Sequence, residues 1–498
     1  MSKVVLLGAG PGEFDLLTLK GKKILEKADC IIYDRLLNPR MLSLAPGSCE
    51  KIFVGKMNHK HTMPQDKINE LLVTKANEYD LVVRLKGGDP YVFGRGGEEA
   101  LYLKERGIKV EIVPGISSSI AALAAAGIPI THRGLAKGFQ VITAHSKKDE
   151  CADIDYTSLL DETVTLVFLM GLAHVGEIAR GLILAGRKES TKAAVISSGT
   201  TNHQIKVCGT LSDIEKKVLA SDISSPAIIV VGDVVQLSSE LDFFEKRPLF
   251  GKKYFLPTIR HFNYSLEKGE KKDSNNELLD KLIENGAEVV TVETGEISPI
   301  VCEMDWLNNS QNAIITFTSA NGVNSFFWNL EQINKDVRVL SNFKFATIGQ
   351  KTSDALKKFG INSDITSSRQ TGVDLAQKIH AVAAEKTDII WFTTKHSSDG
   401  FKENLRKDLN LKKNICYENS PSNIIVDEKL ITSIKNCDGA IFTSGSNATA
   451  TIPLLKEHMP DNVYSIGPSC SKVINELGIK NIKEAAISSY LGIMELLL

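Results

Sequence analysis

Residues 84–99 read RLKGGDPYVFGRGGEE and directly follow an apolar run at residues 81–83. Five of the chain's 37 glycines fall within this stretch. Paired glycines after a predicted strand allow a positive φ and carry no Cβ, so a ligand can lie directly on main-chain atoms. Asp89 follows the first glycine pair, where its carboxylate can meet a ligand hydroxyl or ammonium group. The alternative is a tight turn with a solvated aspartate, but a turn needs fewer glycines and does not explain the cations of the stretch.

The composition is that of an ordinary globular protein with more than one domain. At 498 residues the chain is too long for one core, and we expect roughly two to four domains. A formal charge of -1 argues against a nucleic-acid or acidic-membrane surface. The eight cysteines are scattered without a C-x-x-C pair, so we expect neither disulfides nor a metal site. The first residues lack a signal peptide and no apolar run is long enough to span a bilayer, which favours the cytosol.

Predicted strands and helices alternate through the first half of the chain. A short helix is predicted at residues 120–126, where Ser117 or Ser118 can cap its start and leave its positive end free for a ligand. In such an α/β unit the site lies at the carboxyl ends of the strands. The strands are predicted at residues 4–7, 30–33, 51–54, 81–83, 110–113, 164–170, 193–197 and 227–231.

Residues 8–13, GAGPGE, follow the first predicted strand and partly match a dinucleotide-binding turn. The fingerprint needs a glycine where Glu13 stands, and Pro11 stiffens the turn where a pyrophosphate would approach. Asp34 nevertheless occupies the place of a ribose-binding acid after the second strand. An NAD-dependent reductase therefore remains an alternative. His59 and His61 do not by themselves indicate a metal site.

Seven short motifs stand in order along the first half: GAGPGEFDLLTLK, YDR, VGK, RLKGGDPYVFGRGGEE, VPGISS, GIPITHRG and LVFLMGL. With this spacing, residues 1–245 resemble the S-adenosylmethionine-dependent uroporphyrinogen-III C-methyltransferases. The resemblance implies a two-lobed α/β domain, not a Rossmann fold, that holds the cofactor bent in the cleft between the lobes. The cofactor would contact Pro11, Gly87, Gly88, Asp89, Val92, Ser117, Ser118, Met170 and Gly199.

The same resemblance implies that Asp34 accepts a proton and Lys56 donates one, with no metal. A local salt bridge is the alternative for such charges at strand ends. A substrate with many carboxylates would explain clustered cations in an overall neutral chain. These cations are Arg35, Arg84, Lys86, Arg95 and Arg133. The resemblance also implies a homodimer formed through this half.

The composition changes at residues 240–253, ELDFFEKRPLFGKK, as it does at a domain junction. We therefore predict one domain at 1–245, a linker at 246–251 and a second domain at 252–498. The second half contains a weak repeat, because Phe-Thr-Ser ends predicted strands at residues 314–319 and 440–444. Each copy is followed by an Ile-Gly turn and a helix, which indicates two similar α/β lobes. Further strands are predicted to start at residues 254–256 and to lie at 389–392, a helix is predicted at 276–286, and a flexible segment at 268–276.

The motifs FTSANGV, CYENSP, FTSGSNA and IGPSC make residues 250–498 resemble uroporphyrinogen-III synthase. The resemblance implies one lobe at about 252–286 and 423–498 and another at about 298–414. The chain would cross between lobes near 287–297 and 415–422. The implied reaction closes hydroxymethylbilane without a cofactor and inverts its last ring. Tyr417 would assist departure of the hydroxyl as an acid, or else pack against the connecting strands.

Hydroxyls at the strand ends would bind the substrate's carboxylates, with plain helix capping as the alternative. They belong to Thr318, Ser319, Thr352, Ser444 and Ser469. The chain departs from the family at Arg260 and His261, where Thr-Arg-Pro is usual, and residues 396–400 lack an expected basic residue.

Together the two halves predict a bifunctional enzyme of tetrapyrrole biosynthesis. It would make uroporphyrinogen III and methylate it twice to precorrin-2, for sirohaem or cobalamin. In the alternative reading, the second half is a ligand sensor without chemistry.

Overall fold

The computed structural model describes residues 2–55, 63–144, 152–265, 269–273, 277–309, 313–395, 397 and 399–498. Contacts divide the chain into two compact units, Met1–Gly251 and Lys252–Leu498. We call them the N-terminal unit and the C-terminal unit. Both combine helices with largely parallel sheets, so the α/β class predicted from the sequence is confirmed. No helix within the described ranges is long and apolar enough to cross a membrane.

The first lobe of the N-terminal unit is a five-stranded parallel sheet with the order β3-β2-β4-β1-β5. A dinucleotide-binding fold pairs its first two strands directly, whereas here β4 lies between them. The strands are β1 (Lys3–Gly8), β2 (Cys30–Tyr33), β3 (Glu50–Phe53), β4 (Leu81–Lys86) and β5 (Lys109–Val113). The helices are α1 (Leu19–Leu25), α2 (Gln65–Glu78), α3 (Gly96–Lys104) and α4 (Ser118–Ala125).

Strand β4 is central in this sheet and buried on both faces, as its apolar run predicts. It continues to Lys86, beyond the predicted end at residue 83. Arg84 and Lys86 therefore lie in the strand, and the glycine loop begins at Gly87. The turn after β1 leads into a 3-10 helix at Phe14–Leu16, and the first α-helix, α1, does not begin until Leu19, so the turn lacks the long helix whose N-terminus binds a pyrophosphate in a dinucleotide-binding fold.

The second lobe is a mixed sheet with the order β6-β7-β10-β8-β9. Three of its strands match predicted ones, whereas β6 and β9 lie at the two edges and were not predicted. Both edge strands carry partly exposed residues, which weakens the apolar pattern. The elements are β6 (Gly138–Thr143), β7 (Val164–Leu169), α5 (Val175–Ala185), β8 (Lys192–Ser197), β9 (Ile205–Thr210), α6 (Ile214–Leu219), β10 (Ala227–Val231) and α7 (Ser238–Leu241).

The described residues of the C-terminal unit form two sheets. Its strands are β11 (Lys253–Ser265), β12 (Gly269–Asp273), β13 (Glu288–Pro299), β14 (Ile314–Phe317), β15 (Lys344–Thr347), β16 (Ile365–Thr366), β17 (Asp388–Thr393), β18 (Asn410–Ile415), β19 (Tyr417–Pro421), β20 (Gly439–Phe442), β21 (Val463–Ser465) and β22 (Ile482–Glu484). Its helices are α8 (Glu277–Glu284), α9 (Trp306–Asn309), α10 (Ala320–Gln332), α11 (Gln350–Lys357), α12 (Gly372–Val382), α13 (Gly400–Glu403), α14 (Glu428–Lys435), α15 (Gly445–Leu455), α16 (Pro468–Glu476) and α17 (Tyr490–Leu497).

The first of these sheets has the order β19-β13-β11-β20-β21-β22, and the second has the order β16-β15-β14-β17-β18. Strands β13 and β19 pair antiparallel at the edge of the first sheet. Strand β11 also passes between the two cores, because Phe255 lies in one core and Phe262 lies with Phe317 in the other. The prediction of a flexible segment at 268–276 is wrong for Gly269–Asp273, which pairs with β11 as a strand.

Candidate functional site

The glycine loop after β4 is tied to the turn after β1. Gly88 N–H donates to Gly10 O at 2.7 Å, and Gly10 N–H donates to Gly88 O at 3.2 Å. The Asp89 carboxylate accepts Tyr91 N–H at 2.7 Å and Gly115 N–H at 3.1 Å. Two acceptor positions of the Asp89 carboxylate are therefore used to fix the loop against the segment after β5. Its other acceptor positions can face a ligand.

The three segments approach so closely that glycine is required at their crossing. A Cβ on Gly115 would lie 2.1 Å from Gly88 O, and one on Gly8 would lie 2.4 Å from Gly115 N. Such distances leave no space for any side chain. Gly115 was not among the predicted site residues, yet it sets the position of the glycine loop, which was predicted to bind the cofactor.

Helix α4 links this crossing to the second lobe. Ser117 caps the helix by accepting Ser119 N–H at 3.3 Å, and Ser118 is its first residue. On the other side of the helix, a Cβ on Gly199 would lie 2.3 Å from the Cβ of Ala122. The turn around Gly199 also contacts the turn after β1, because Glu13 N–H donates to Thr200 Oγ1 at 3.3 Å. Loops from both lobes thus meet beside the start of α4.

The remaining predicted cofactor residues lie on the same loops or on strand ends. Pro11 is half-buried in the turn after β1, and Gly87 packs against Leu36, whose carbonyl oxygen would be 2.5 Å from a Cβ there. Val92 is 36% exposed on the glycine loop. Met170 is half-exposed at the carboxyl end of β7 with a φ of +58°.

The structure buries Arg84 and Lys86, which were predicted as cations lining the substrate cleft. They are 4% and 5% exposed because both lie within β4, and both face the fully buried Glu99 of α3. Lys86 Nζ donates to Glu99 Oε1 at 2.9 Å, and Arg84 Nε donates to the same oxygen at 3.4 Å. Burial lowers the pKa of Lys86, the Arg84 charge lowers it further, and Glu99 opposes both. These two cations serve an internal cluster and are not exposed carboxylate ligands.

Asp34 lies at the edge of this cluster, just after β2. Arg84 Nη2 is 3.6 Å from Asp34 Oδ2, while Leu36 N–H donates to Asp34 Oδ1 at 3.1 Å. The Asp34 side chain is 27% exposed, so it remains accessible to a proton donor in the cleft. Lys56, the predicted proton donor, lies outside the described residues, as do His59 and His61.

Three predicted arginines remain at the surface of the N-terminal unit. Arg35 and Arg133 are exposed. Arg95 precedes α3 with a φ of +58°, and its guanidinium binds Glu98 through two hydrogen bonds of 3.0 and 2.7 Å. These hydrogen bonds raise the pKa of Arg95, so it is a permanent cation held beside the glycine loop.

In the C-terminal unit, Tyr417 meets the cap of helix α10. The Tyr417 hydroxyl is 2.9 Å from Ser319 Oγ, which also accepts Gly322 N–H at 3.1 Å. Tyr417 is the first residue of β19 and is 8% exposed, and burial raises the pKa of its phenol. The hydrogen bond to Ser319 opposes that rise.

Thr318 has a partner that the sequence did not indicate. The indole N–H of Trp391, a residue 1% exposed, donates to Thr318 Oγ1 at 3.0 Å. An indole can only donate, so the Thr318 hydroxyl accepts there and keeps its own proton for another acceptor. The buried indole of Trp391 therefore fixes the orientation of the Thr318 hydroxyl at the end of β14.

The other predicted hydroxyls of this unit differ in exposure. Thr352 is only 4% exposed because α11 begins at Gln350 and turns this side chain inward, which removes it from the surface. Ser444 caps α15 by accepting Asn447 N–H at 3.2 Å, and Ser469 is exposed in the first turn of α16. Capping by Ser319 and Ser444 is thus observed, whereas Gly349 and Gly467 occupy the cap positions of α11 and α16.

Two family models match the chain. Residues 3–215 match the Tetrapyrrole (Corrin/Porphyrin) Methylases, and residues 276–490 match Uroporphyrinogen-III synthase HemD. The porphyrin biosynthesis protein HemD of Ruminiclostridium josui is 36% identical over 468 residues, which cover 91% of this chain and 89% of that protein. The chain belongs to the family of fused tetrapyrrole methylases and uroporphyrinogen-III synthases. The fusion is thus a two-part enzyme of tetrapyrrole biosynthesis, and the nicotinamide-dependent alternative is wrong.

Other relatives are similar to a smaller share of the fusion. A uroporphyrinogen-III C-methyltransferase of Bacillus subtilis (strain 168) is 41% identical over 359 residues, covering 72% of the fusion and 71% of the relative. The crystal structure of uroporphyrin-III C-methyl transferase from Thermus thermophilus complexed with S-adenyl homocysteine is 39% identical. It covers 47% of the fusion and 100% of that chain with a TM-score of 0.41.

Sequence reasoning missed Glu99 and Trp391 in the fusion because charge and aromaticity alone do not reveal a partner. A signal for Glu99 did exist. Arg84 and Lys86 alternate with Val83 and Leu85 directly after an apolar run, as they would if the buried strand continued, and buried cations need an anion. No cluster of three or more His, Cys, Asp or Glu residues suited to a metal occurs among the residues that the structure describes.

Proposed function

We propose that the N-terminal unit transfers methyl groups from S-adenosylmethionine to uroporphyrinogen III, twice, to give precorrin-2. We propose further that the C-terminal unit supplies this substrate by closing hydroxymethylbilane with inversion of its last ring. The family and the names of the relatives support both activities. Precorrin-2 would then enter sirohaem or cobalamin synthesis.

The observation that carries the methylation proposal is the convergence of glycine-bearing loops from both lobes beside the start of α4. Among the described residues, a Cβ on Gly88 would meet only Ser117 Cα and Ser118 N, both at 3.9 Å, so main-chain atoms there stay open to a ligand. Main-chain amides at a helix start suit a carboxylate, and the exposed Tyr91, Val92 and Phe93 suit a flat apolar group. These features fit S-adenosylmethionine, which supplies an already activated methyl group when bound.

The residues of the N-terminal unit would then orient the substrate and accept the proton that it releases. Arg35, Arg95 and Arg133 offer exposed guanidinium groups for its carboxylates. Asp34 would accept the proton that leaves the ring system after methylation, because its carboxylate is accessible and held by Arg84. In-line positioning of the methyl group and the attacking ring carbon would supply most of the rest of the rate enhancement.

In the C-terminal unit, Tyr417 would protonate the departing hydroxyl of the bilane. For this the phenol must keep its proton, so Ser319 would donate to the Tyr417 oxygen rather than accept from it. A donated hydrogen bond favours the phenolate that forms. Thr318, with its proton directed outward, would bind a substrate carboxylate at the end of β14.

The test supplies hydroxymethylbilane and S-adenosylmethionine to the whole protein. We expect the type III macrocycle in place of the uncatalysed type I isomer, followed by a dimethylated product. The type I isomer alone would contradict the synthase proposal and favour a sensing role for the C-terminal unit. Supplying uroporphyrinogen III directly separates the two reactions, since it needs only the N-terminal unit.

A further inference from the structure

In the buried cluster next to Asp34, the described residues bind the Glu99 carboxylate through one of its two oxygens. Glu99 Oε1 accepts Lys86 Nζ, Arg84 Nε and Gln65 Nε2, the last at 3.1 Å. Glu99 Oε2 is buried without a hydrogen-bond partner among the described residues. A half-satisfied carboxylate of zero exposure costs folding free energy, and apolar packing would be a more stable filling. Stability alone therefore does not account for this arrangement.

Arg84 connects Glu99 to Asp34 through different atoms of one guanidinium. Nε faces Glu99 at 3.4 Å, Nη2 faces Asp34 at 3.6 Å, and Nη1 donates to the carbonyl oxygens of Ile32 and Leu85 at 3.3 and 3.2 Å. The guanidinium is planar and rigid, so fixing two of its nitrogens fixes the third. Glu99 and the two carbonyl groups thereby determine where Nη2 meets Asp34.

We propose that Glu99 is a positioning residue for Asp34, acting through Arg84, and that Lys86 balances the charge of Glu99. The inference rests on the proposed function, in which Asp34 accepts a proton from the methylated ring. Glu99 is fully buried and would not touch the substrate.

The charges of the cluster predict opposite effects for its two buried partners. Ion pairs within 4 Å join Arg84 and Lys86 of β4 to Glu99 of α3, and a further one joins Arg84 to Asp34. Helix α2 contributes the neutral amide of Gln65 to the cluster. Glu99→Gln leaves an excess of positive charge, so Asp34 holds a proton less tightly. Lys86→Met leaves an excess of negative charge, so Asp34 holds a proton more tightly.

The experiment measures methylation of uroporphyrinogen III by the full-length protein as a function of pH. Asp34 must be ionised to accept a proton, so its titration appears as the acid limb of the kcat profile. We expect Glu99→Gln to move this limb to lower pH and Lys86→Met to move it to higher pH, each on the order of one pH unit. Glu99→Gln should also reduce kcat roughly tenfold at the plateau, because the acceptor becomes a weaker base, with little change in KM.

The double variant Glu99→Gln with Lys86→Met removes one charge of each sign. It should restore the acid limb to within a few tenths of a pH unit of the wild type. Glu105→Gln is the matched control, because this glutamate follows α3 directly and its side chain is 73% exposed. It should leave the profile unchanged. Thermal unfolding checks that each variant is folded.

The inference is overturned if the acid limb moves in the same direction in both single variants. It is also overturned if the limb moves in neither variant. If Glu99→Gln does not fold, Lys86→Met decides alone: a limb moved to higher pH supports the inference, and an unmoved or lowered limb overturns it. A wild-type protein that does not methylate uroporphyrinogen III contradicts the proposed function instead. The two failures are thus distinguished by the wild-type rate.

Discussion

Replacing Gly115 by alanine should displace the glycine loop that forms one wall of the candidate cofactor site. The new Cβ would lie 2.1 Å from Gly88 O and 2.7 Å from Gly8 Cα, both of them backbone atoms that no side-chain rotation can move. The Gly88 carbonyl would have to retreat by more than 1 Å to reach the 3.4 Å of an ordinary contact. That movement would break the hydrogen bond that the Gly88 carbonyl accepts from Gly10 N–H, now 3.2 Å long.

The size of the effect follows from these contacts. Overpacking of this kind costs about 1–3 kcal/mol, and the lost hydrogen bond adds about 1 kcal/mol. We therefore expect Gly115→Ala to lower the free energy of unfolding of the N-terminal unit by about 2–4 kcal/mol, and its Tm by roughly 5–15 °C. Affinity for S-adenosylhomocysteine should fall by at least about tenfold, because each 1.4 kcal/mol of lost positioning is a factor of ten.

Differential scanning calorimetry measures the first quantity and isothermal titration calorimetry measures the second. Gly47→Ala is the matched control, since a Cβ on Gly47 would meet no atom of the described residues within 4 Å. A Tm for Gly115→Ala within about 2 °C of the control would refute the packing argument. A reduced Tm with unchanged affinity would refute the assignment of the loop to the cofactor.

Asp34→Asn should reduce methyl transfer by roughly 10²–10⁴-fold while leaving calorimetric binding of S-adenosylhomocysteine intact, and unchanged turnover would remove the proposed proton acceptor. Tyr417→Phe should slow formation of the type III macrocycle by roughly 10²-fold or more in a chromatographic isomer assay, and Ser319→Ala should slow it less; an unaltered rate in Tyr417→Phe would contradict its acid role. Burial raises the pKa of Tyr254 to about 12, above its ordinary value of 10.0, so its contribution to stability is complete below pH 10 and is lost as the pH rises towards 12. Tyr254→Phe should therefore flatten the fall in urea midpoint of the C-terminal unit over that range, and an equal slope would contradict this prediction.

The strands that the sequence predicted share one property, which is burial of a continuous apolar run. β2 and β10 were found because a buried strand in these sheets is apolar on both faces. β6 and β9 were missed because an edge strand keeps polar residues, and its pairing depends on a partner strand elsewhere in the chain. β11 was detected only at its start, since its later residues are partly exposed and alternate with buried ones.

In the candidate site, too, some residues could be predicted from the sequence and others could not. Residues at strand ends, such as Gly88 and Ser319, were predicted because the carboxyl edge of an α/β sheet is where loops converge. Arg84 was wrongly placed in the cleft, because its partner Glu99 lies on a helix that only the folded chain brings over β4. The need for glycine at position 115 is likewise invisible in the sequence, because the clashing carbonyl belongs to Gly88.

Strand β11 has a consequence for the order in which a growing polypeptide can fold. Its first residues pair with β20, whose Gly439 and Ala440 stand opposite Tyr254 and Phe255, 185 positions further along the chain. During synthesis from the amino terminus, this sheet cannot close until nearly all of the C-terminal unit has left the ribosome. The second sheet of that unit, β14 to β18, becomes complete much earlier. The apolar face of β11 that packs against the helices after β20 therefore stays uncovered beside an already formed neighbour until late in translation, the stage at which exposed apolar surface favours misfolding.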